Sequence, residues 1–334
     1  MALVLAPENP GQLERGVALL RANLPIGLPT ETVYGLAARA FEPTALARIF
    51  ALKARPTFDP LIVHVLHREQ AQACVKGFEP LHLRLMEKFW PGPLTFLAQR
   101  SERIPDLCTA GSAWVALRSP VHPVFRRVLE QLDEPLAAPS ANRFGRLSPV
   151  SAEDVVQDLG PFGLEAVVDG GTCALGIEST IVRVADDNAL EVLRPGSLSV
   201  EALREGLGNV EVRVLPRTDG VAAPGLLASH YAPRLPLVFL PDVDTPLPRE
   251  LRPERWVAVS VFPSDLSRAG WRDYRVLSEI SSDKEAAAKL FGTLRALDGS
   301  GADGIVALGA PPAGLGLAIN DRLKRAAAPR SEPL

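Results

Sequence analysis

A break in hydrophobic periodicity at residues 208–234 is the feature that most constrains this fold. The segment contains Pro216, Pro224, Gly225 and Pro233, residues that interrupt helices and strands. The chain has 334 residues, more than an ordinary domain of about 100 to 200 residues. We therefore predict two domains, at residues 1–207 and 235–334, joined by a linker at residues 208–234.

The N-terminal part alternates short β-branched runs with amphipathic stretches, a pattern typical of an α/β or α+β domain. A helix is predicted from Pro43 to about Ala54, and another from the capping pattern Ser151-x-x-Asp154 to about residue 160. Turn residues at 186–188 separate two strand-like runs, which predicts an antiparallel hairpin and a mixed sheet. The strand-like runs lie at 61–65, 113–117, 166–168, 179–184 and 190–193.

The C-terminal part has strand-like runs followed by helices of ordinary length. This order predicts a small, largely parallel sheet. The fold class predicted for the whole chain is therefore α/β. The runs lie at 237–240, 256–262, 275–277 and 304–308, with helices at about 283–297 and 315–327.

Composition argues against several classes of protein. A formal net charge of -3 is unlike the cationic surfaces that bind nucleic acid non-specifically. Cys74, Cys108 and Cys173 are widely spaced, so we expect neither a zinc site nor a disulfide framework. The N-terminus has no basic region before Pro7, and no stretch reaches ~18 uncharged apolar residues. We therefore expect a cytoplasmic protein without membrane contact.

Four cations fall at the ends of predicted elements. Lys53 and Arg55 close a helix, where cations either complement the helix dipole or clamp a polyphosphate. Arg118 ends a strand, the position at which open α/β sheets bind ligands, and Arg194 follows another strand. Because cations at element ends usually lie outside the core, we expect Arg55→Ala and Arg194→Ala to leave folding intact.

Small hydroxyl residues accompany these cations. Thr30 or Thr32, after a probable strand, either caps a helix or lies at an anion-binding helix start. Ser140 belongs to a polar loop that is also explained as a simple turn, and Ser179 enters a strand. His64 lies on a strand, where a lone histidine is more often structural. Together the cluster fits a site for a polyanion and a small zwitterion.

Seven motifs, in chain order, resemble the YrdC/Sua5 family of threonylcarbamoyl-AMP synthases. The segment at Ser229–Pro233 and the tail GLGLAINDRLKRAA resemble the longer Sua5 branch. The resemblance implies a YrdC-like twisted mixed sheet with helices around a concave site, and a smaller Rossmann-like parallel α/β C-terminal domain. The motifs are PTETVYGL, KARPTFDPLIVH, FWPGPLTF, ALRSPVHP, PSANRFGRLSP, GIEST and LRPG.

This resemblance implies a nucleotidyltransferase, L-threonylcarbamoyladenylate synthase. Such an enzyme makes threonylcarbamoyl-AMP and pyrophosphate from L-threonine, bicarbonate or CO2, and ATP with Mg2+. The product serves N6-threonylcarbamoyladenosine modification at tRNA position 37. The implied partners are a downstream threonylcarbamoyl transferase complex and, weakly, tRNA itself.

The resemblance also implies the site residues. The implied threonine ligands are Thr32, His64, Arg118, Ser140 and Ser179. The implied ATP ligands are Lys53, Arg55, Asp59, Asn142, Ser148, Arg194 and Tyr231, of which Lys53 and Arg55 are the catalytic cations and Tyr231 belongs to a closing lid. Two positions depart from the family pattern, because Asp59 stands in place of the usual Asn and Trp114 in place of a small residue.

Two alternative functions remain open at this stage. One is an RNA-binding module, against which the net charge counts. The other is a carbamoyl transferase of the hydrogenase-maturation type, which carries zinc-finger and acylphosphatase modules. Three scattered cysteines cannot build those fingers.

Overall fold

The computed structural model describes residues 2–186, 188–215 and 229–329. These residues form two compact units. Among the described residues, the first unit comprises 2–144, 149–174 and 178–215, and the second comprises 145–148, 175–177 and 229–329. No helix in these described ranges is both long and apolar enough to cross a membrane.

The first unit is built on an 11-stranded mixed sheet in the order β1-β8-β2-β3-β7-β4-β6-β5-β9-β10-β11. Its strands are β1 (Leu3–Leu5), β2 (Ile26–Leu28), β3 (Gly35–Arg39), β4 (Ile62–His64), β5 (Leu94–Gln99), β6 (Trp114–Arg118), β7 (Leu136–Ala137), β8 (Ala166–Val168), β9 (Thr180–Asp186), β10 (Ala189–Arg194) and β11 (Glu211–Val214).

Eight α-helices accompany this sheet within the described residues, and four of them begin with a proline whose fixed φ suits the first helical turn. The apolar faces of the first and sixth helices pack in one buried cluster with strands β2 and β8. The helices are α1 (Pro10–Arg21), α2 (Pro43–Lys53), α3 (Arg68–Gln72), α4 (Pro80–Phe89), α5 (Asp106–Thr109), α6 (Pro123–Leu132), α7 (Ala152–Leu159) and α8 (Val200–Leu207).

Local sequence signals predicted several of these elements well. Ser151 Oγ accepts a hydrogen bond from Asp154 N at 3.2 Å, and Asp154 Oδ2 accepts one from Ser151 N at 3.2 Å, which confirms the capping box before α7. Strands β9 and β10 pair antiparallel, which confirms the hairpin and the mixed sheet, although Asp187 in its turn lies outside the described residues.

The prediction of a helix cap at Thr30 or Thr32 is wrong. Thr30 Oγ1 accepts hydrogen bonds from the backbone N–H groups of Thr32 at 3.1 Å and Val33 at 3.2 Å, and the chain then enters strand β3. A threonine hydroxyl can close such a turn as well as it caps a helix. Pairing of β3 with β2 and β7 selects the strand.

A strand that was not predicted lies inside the predicted linker. Strand β11 lies inside residues 208–234 and pairs in parallel with β10. A run of four residues is too short to show periodicity, and its partner strand lies elsewhere in the sequence. Residues 216–228 of the predicted linker lie outside the described residues, and the two domain boundaries stay predictions.

The second unit contains a fully parallel four-stranded sheet in the order β12-β15-β13-β14, which confirms the predicted small parallel α/β unit. Its apolar strand residues form a buried cluster of their own. The elements are β12 (Leu237–Leu240), β13 (Val257–Ser260), β14 (Asp273–Val276), β15 (Ile305–Leu308), α9 (Asp283–Asp298) and α10 (Gly316–Ala326).

Candidate active site

Five residues form a row across neighbouring strands of the first unit. Arg118 on β6 is in register with both His64 on β4 and Thr95 on β5. Thr95 is in register with Ile181 on β9, and Ile181 with Arg194 on β10. Because residues in register project from the same face of a sheet, Arg118 and Thr95 lie on one surface. A register irregularity precedes Arg194, and its guanidinium reaches this surface by donating to Ser179, which contacts Thr95.

Arg118 is held by the turn that precedes strand β3. Its Nη1 donates to Thr32 Oγ1 at 2.9 Å, and its Nη2 lies 2.7 Å from Glu31 Oε1 in an ion pair. Its Nε donates to the Gly92 carbonyl at 3.4 Å. The Arg118 and Glu31 side chains are only 4% and 8% exposed, so each charge depends on the other. The guanidinium is thus oriented beside the Thr32 hydroxyl.

His64 is buried next to this pair. Its Nδ1 lies 3.2 Å from the Ile62 carbonyl oxygen, and its ring packs on Phe125 with centroids 5.1 Å apart. Burial and the charge of Arg118 lower the pKa of His64 to about 3. His64 is therefore neutral near pH 7.

Protonation of His64 should make stability depend on pH. Above about pH 6.5 the imidazole is neutral in the folded and unfolded states, whereas below it only the unfolded state binds a proton until about pH 3. The free energy of unfolding should therefore fall by about 1.4 kcal/mol per pH unit in that window. In urea unfolding between pH 7 and pH 5, the free energy of unfolding of wild type should fall relative to that of His64→Gln as the pH falls, because only wild type carries the imidazole. A constant difference would contradict a neutral His64.

Ser179 is fixed from two sides. Arg194 Nη2 donates to the Ser179 carbonyl at 2.8 Å and to its hydroxyl at 3.3 Å, and Thr95 Oγ1 lies 2.8 Å from Ser179 Oγ. A Cβ at Gly196 would lie 2.4 Å from the Ser179 carbonyl carbon, so glycine is required at that approach. All of these side chains are buried. Ser179 therefore has one defined position in the first unit.

Lys53 holds the polar loop after strand β7. Its Nζ donates to the carbonyl oxygens of Ser140 and Asn142, both at 2.6 Å, and the side chain is buried. Burial and the neighbouring charge of Arg55 lower the pKa of Lys53 well below its ordinary value. Ser140 in turn bridges to Gly35 at the start of β3. Lys53 thus connects the end of α2 to both loop residues that were predicted for the site.

Arg55 and Asp59 form a second buried ion pair. Arg55 Nη2 lies 2.9 Å from Asp59 Oδ2, with side chains 4% and 2% exposed. Arg55 also donates to the carbonyls of Asp59 at 3.0 Å and Pro60 at 2.7 Å. The carboxylate that replaces the family's usual Asn is therefore charge-compensated by Arg55.

The expectation that these cations lie outside the core is wrong. Arg55 is 7% exposed and Arg194 is 3% exposed. Both donate to backbone carbonyls, and a buried carbonyl that loses a donor reduces stability. Substitution of either residue should therefore affect stability as well as ligand binding.

Two predicted ATP ligands fall in the second unit. The Ser148 carbonyl accepts from Arg295 Nε at 3.4 Å. Tyr231 is 2% exposed, and its ring lies 5.6 Å from that of Phe291 and 5.4 Å from the Arg322 guanidinium carbon. Their roles in ATP binding stay predictions.

Sequence reasoning missed two residues of this cluster. Glu31 pairs with Arg118, and Thr95 contacts Ser179. Both belong to motifs that were recognised, PTETVYGL and FWPGPLTF, but neither position carries a local signal for its partner. The sequence signal that could have indicated Glu31 is its position as a carboxylate between Thr30 and Thr32.

Throughout the described ranges, no group of three or more His, Cys, Asp and Glu side chains is placed to hold an ion. Protein-bound Mg2+ often uses only one or two carboxylates together with substrate phosphates. The Glu31 and Asp59 carboxylates each have an arginine partner.

Known proteins resemble this chain over nearly its whole length. The Sua5_yciO_yrdC family model, described as "Telomere recombination", matches residues 18–196, and the Sua5_C model, described as "Threonylcarbamoyl-AMP synthase, C-terminal domain", matches residues 198–328. Threonylcarbamoyl-AMP synthase of Pyrococcus abyssi is 34% identical over 324 residues, which cover 92% of this chain and 91% of that protein. The enzyme of the same name from Bacillus subtilis is 34% identical over 336 residues, 96% of this chain and 94% of that protein.

A solved structure agrees with these matches. The crystal structure of P. abyssi Sua5 complexed with L-threonine superposes with a TM-score of 0.85 at 31% identity, covering 98% of this chain and 97% of that one. This coverage includes the residues matched by both family models. On this evidence the chain belongs to the YrdC/Sua5 family and has the two-part organisation of its Sua5 branch.

Proposed function

We propose that this chain is a threonylcarbamoyl-AMP synthase that uses L-threonine, bicarbonate or CO2, and ATP. The observation that carries the proposal is the row of buried groups in which two guanidiniums each donate to a small hydroxyl, Arg118 to Thr32 and Arg194 to Ser179. Cations paired with hydroxyls suit a zwitterionic amino acid next to a polyphosphate. Two relatives that align over more than nine-tenths of the chain carry this enzyme name.

In this proposal, threonine occupies the part of the row around Arg118. The Arg118 guanidinium makes three contacts in the chain and has five N–H donors, so donors remain for a substrate carboxylate. Thr32, His64, Ser140 and Ser179 complete the subsite. Neutral His64 adds no charge, and the Glu31 carboxylate balances Arg118. A net-neutral site of this kind suits a zwitterion.

ATP is proposed to bind as its Mg2+ complex near Lys53, Arg55 and Arg194. The threonine amine adds to the carbon of CO2 and loses a proton, or adds to the carbon of bicarbonate with loss of water, and either route gives a carbamate. A carbamate oxygen then attacks the α-phosphorus, and the bond to the leaving pyrophosphate breaks. The chain contributes alignment and charge neutralisation, because this displacement requires no covalent nucleophile. Asp59, Asn142, Ser148 and Tyr231 are the further proposed nucleotide contacts.

Asp59 should weaken ATP binding in this chain. Replacing it with Asn removes a negative charge beside a triphosphate while Arg55 keeps its two backbone acceptors. We expect Asp59→Asn to lower the KM for ATP about three- to tenfold and to reduce stability, since Arg55 loses its counter-charge. Steady-state kinetics with Glu87→Gln, an exposed acid-to-amide change, provide the control. An unchanged or higher KM for ATP in Asp59→Asn would contradict the placement.

The function itself is tested by product analysis. The purified protein, given MgATP, L-threonine and bicarbonate, should release pyrophosphate and form threonylcarbamoyl-AMP, detected by mass spectrometry. Each substrate should be required. L-serine should be used about tenfold less efficiently or worse, because a buried methyl contributes ~1 to 3 kcal/mol. Pyrophosphate release without threonine, or no adenylate product, would contradict the proposal.

The proposed downstream partner follows from the chemistry of the product. A mixed anhydride hydrolyses readily, so it should pass to a threonylcarbamoyl transferase complex that modifies tRNA. We propose that this happens in the cytoplasm, with only weak direct binding of tRNA by this chain.

A further inference from the structure

Thr95 lies at the centre of the row, between the two arginines. It is in register with Arg118 on one side and with Ile181, the register partner of Arg194, on the other. Its side chain is completely buried, and its hydroxyl lies 2.8 Å from Ser179 Oγ. A threonine in a strand usually packs its methyl group, but this one also places a hydroxyl against a proposed substrate ligand.

Either hydroxyl of the Thr95 and Ser179 pair could be the donor, and in both cases one hydroxyl hydrogen has no acceptor among the described residues. Among the described residues, Ser179 Oγ is the one hydrogen-bonding partner of the Thr95 hydroxyl. Ser179, and not Thr95, is a proposed substrate ligand, so a substrate oxygen can accept the Ser179 hydrogen, and the matching direction has Thr95 as the donor to Ser179. Arg194 Nη2 lies 3.3 Å from the same oxygen and can only donate.

These two donors occupy both lone pairs of Ser179 Oγ. The hydroxyl hydrogen of Ser179 therefore has no acceptor in this part of the described chain and remains for a ligand. We propose that Thr95 is a positioning residue that sets Ser179 as a hydrogen-bond donor, so that Ser179 recognises an oxygen of the amino-acid substrate and not its ammonium group. This inference rests on the proposed function and specifies which substrate group Ser179 meets.

Thr95→Val is the direct test, because valine keeps the branched shape and removes the hydroxyl. Without the Thr95 donor, Ser179 regains a free lone pair and no longer has a defined hydrogen position. We expect the KM and the calorimetric Kd for L-threonine to rise about five- to tenfold. The KM for ATP should stay within about twofold, since the arginines are unchanged.

Two further variants separate the hydroxyl from packing. Thr95→Ser keeps the donor and loses only the methyl, so it should bind threonine within about twofold of wild type. Thr109→Val makes the same chemical change at a threonine that is 1% exposed and whose hydroxyl has no hydrogen-bond partner among the described residues. It should leave both KM values unchanged. Thermal unfolding confirms that each variant is folded, and Thr95→Ala replaces Thr95→Val if that protein does not fold.

Several outcomes would overturn the role of Thr95. Equal threonine affinity in Thr95→Val and wild type would show that the donor is not needed. Equal impairment in Thr95→Ser and Thr95→Val would assign the effect to packing, and a matching rise in the KM for ATP would indicate general disorder of the site. A wild-type protein that makes no threonylcarbamoyl-AMP would instead contradict the proposed function, so the two failures are distinguishable.

Discussion

Arg118→Met should lose most of its threonine-dependent activity and unfold more easily than wild type. Loss of a charge-assisted contact to the substrate carboxylate corresponds to about 2 to 5 kcal/mol, so kcat/KM for threonine should fall at least about 30-fold. Stability should fall by about 3 to 5 kcal/mol, because the Glu31 carboxylate, 8% exposed, loses the guanidinium at 2.7 Å. Kinetics and urea unfolding measure the two effects separately.

The double variant Glu31→Gln/Arg118→Met separates folding from function. Removal of both charges relieves the buried, uncompensated carboxylate, so stability should recover by several kcal/mol, as is typical when a buried pair is removed together. Activity should not recover, because the substrate carboxylate still has no cation. Recovery of activity in the double variant, or no loss of activity in Arg118→Met, would show that Arg118 serves the fold alone.

Lys53→Met should disrupt the polar loop after β7. The Lys53 amine is the donor to two carbonyls, those of Ser140 and Asn142, at 2.6 Å each. Each buried carbonyl that loses its donor costs about 1 to 3 kcal/mol, so we expect the two together to reduce stability by roughly 2 to 6 kcal/mol. Because both residues are also proposed substrate contacts, the KM values for threonine and ATP should rise together.

A matched surface variant provides the control for this experiment. Lys76→Met makes the same substitution at an exposed position of the first unit and should change neither stability nor kinetics. If Lys53→Met kept wild-type stability and lost only ATP use, Lys53 would act as a phosphate ligand without holding the loop. If it kept wild-type KM values, the loop would not depend on Lys53.

Elements with a complete local signal were predicted close to their observed bounds. The α2 helix ends at Lys53, one residue before the predicted end, because Ala54 adopts a left-handed conformation. The Ser151 capping box and the parallel sheet of the second unit were also predicted. In each case the deciding interactions lie within a few residues or in an apolar run.

Where the local sequence signal is ambiguous, pairing with neighbouring strands decides which structure forms. Thr30 has the chemistry of a helix cap and of a turn, and only the pairing of β3 with two other strands selects the turn. Strand β11 has only four residues, two of which are valines, and it forms at the edge of the sheet by pairing with β10. Propensity is weak compared with such pairing.

The sequence by itself determined the residue types of the candidate site, since its cations and hydroxyls follow recognisable strands and helices in a fixed order. It did not determine their partners. Glu31 with Arg118, Thr95 with Ser179, and Lys53 with Ser140 are joined across strands or loops, and the last two pairs are separated by 84 and 87 residues. Strand register and burial decide such pairs, because a shift of one residue would move every side chain to the opposite face of the sheet.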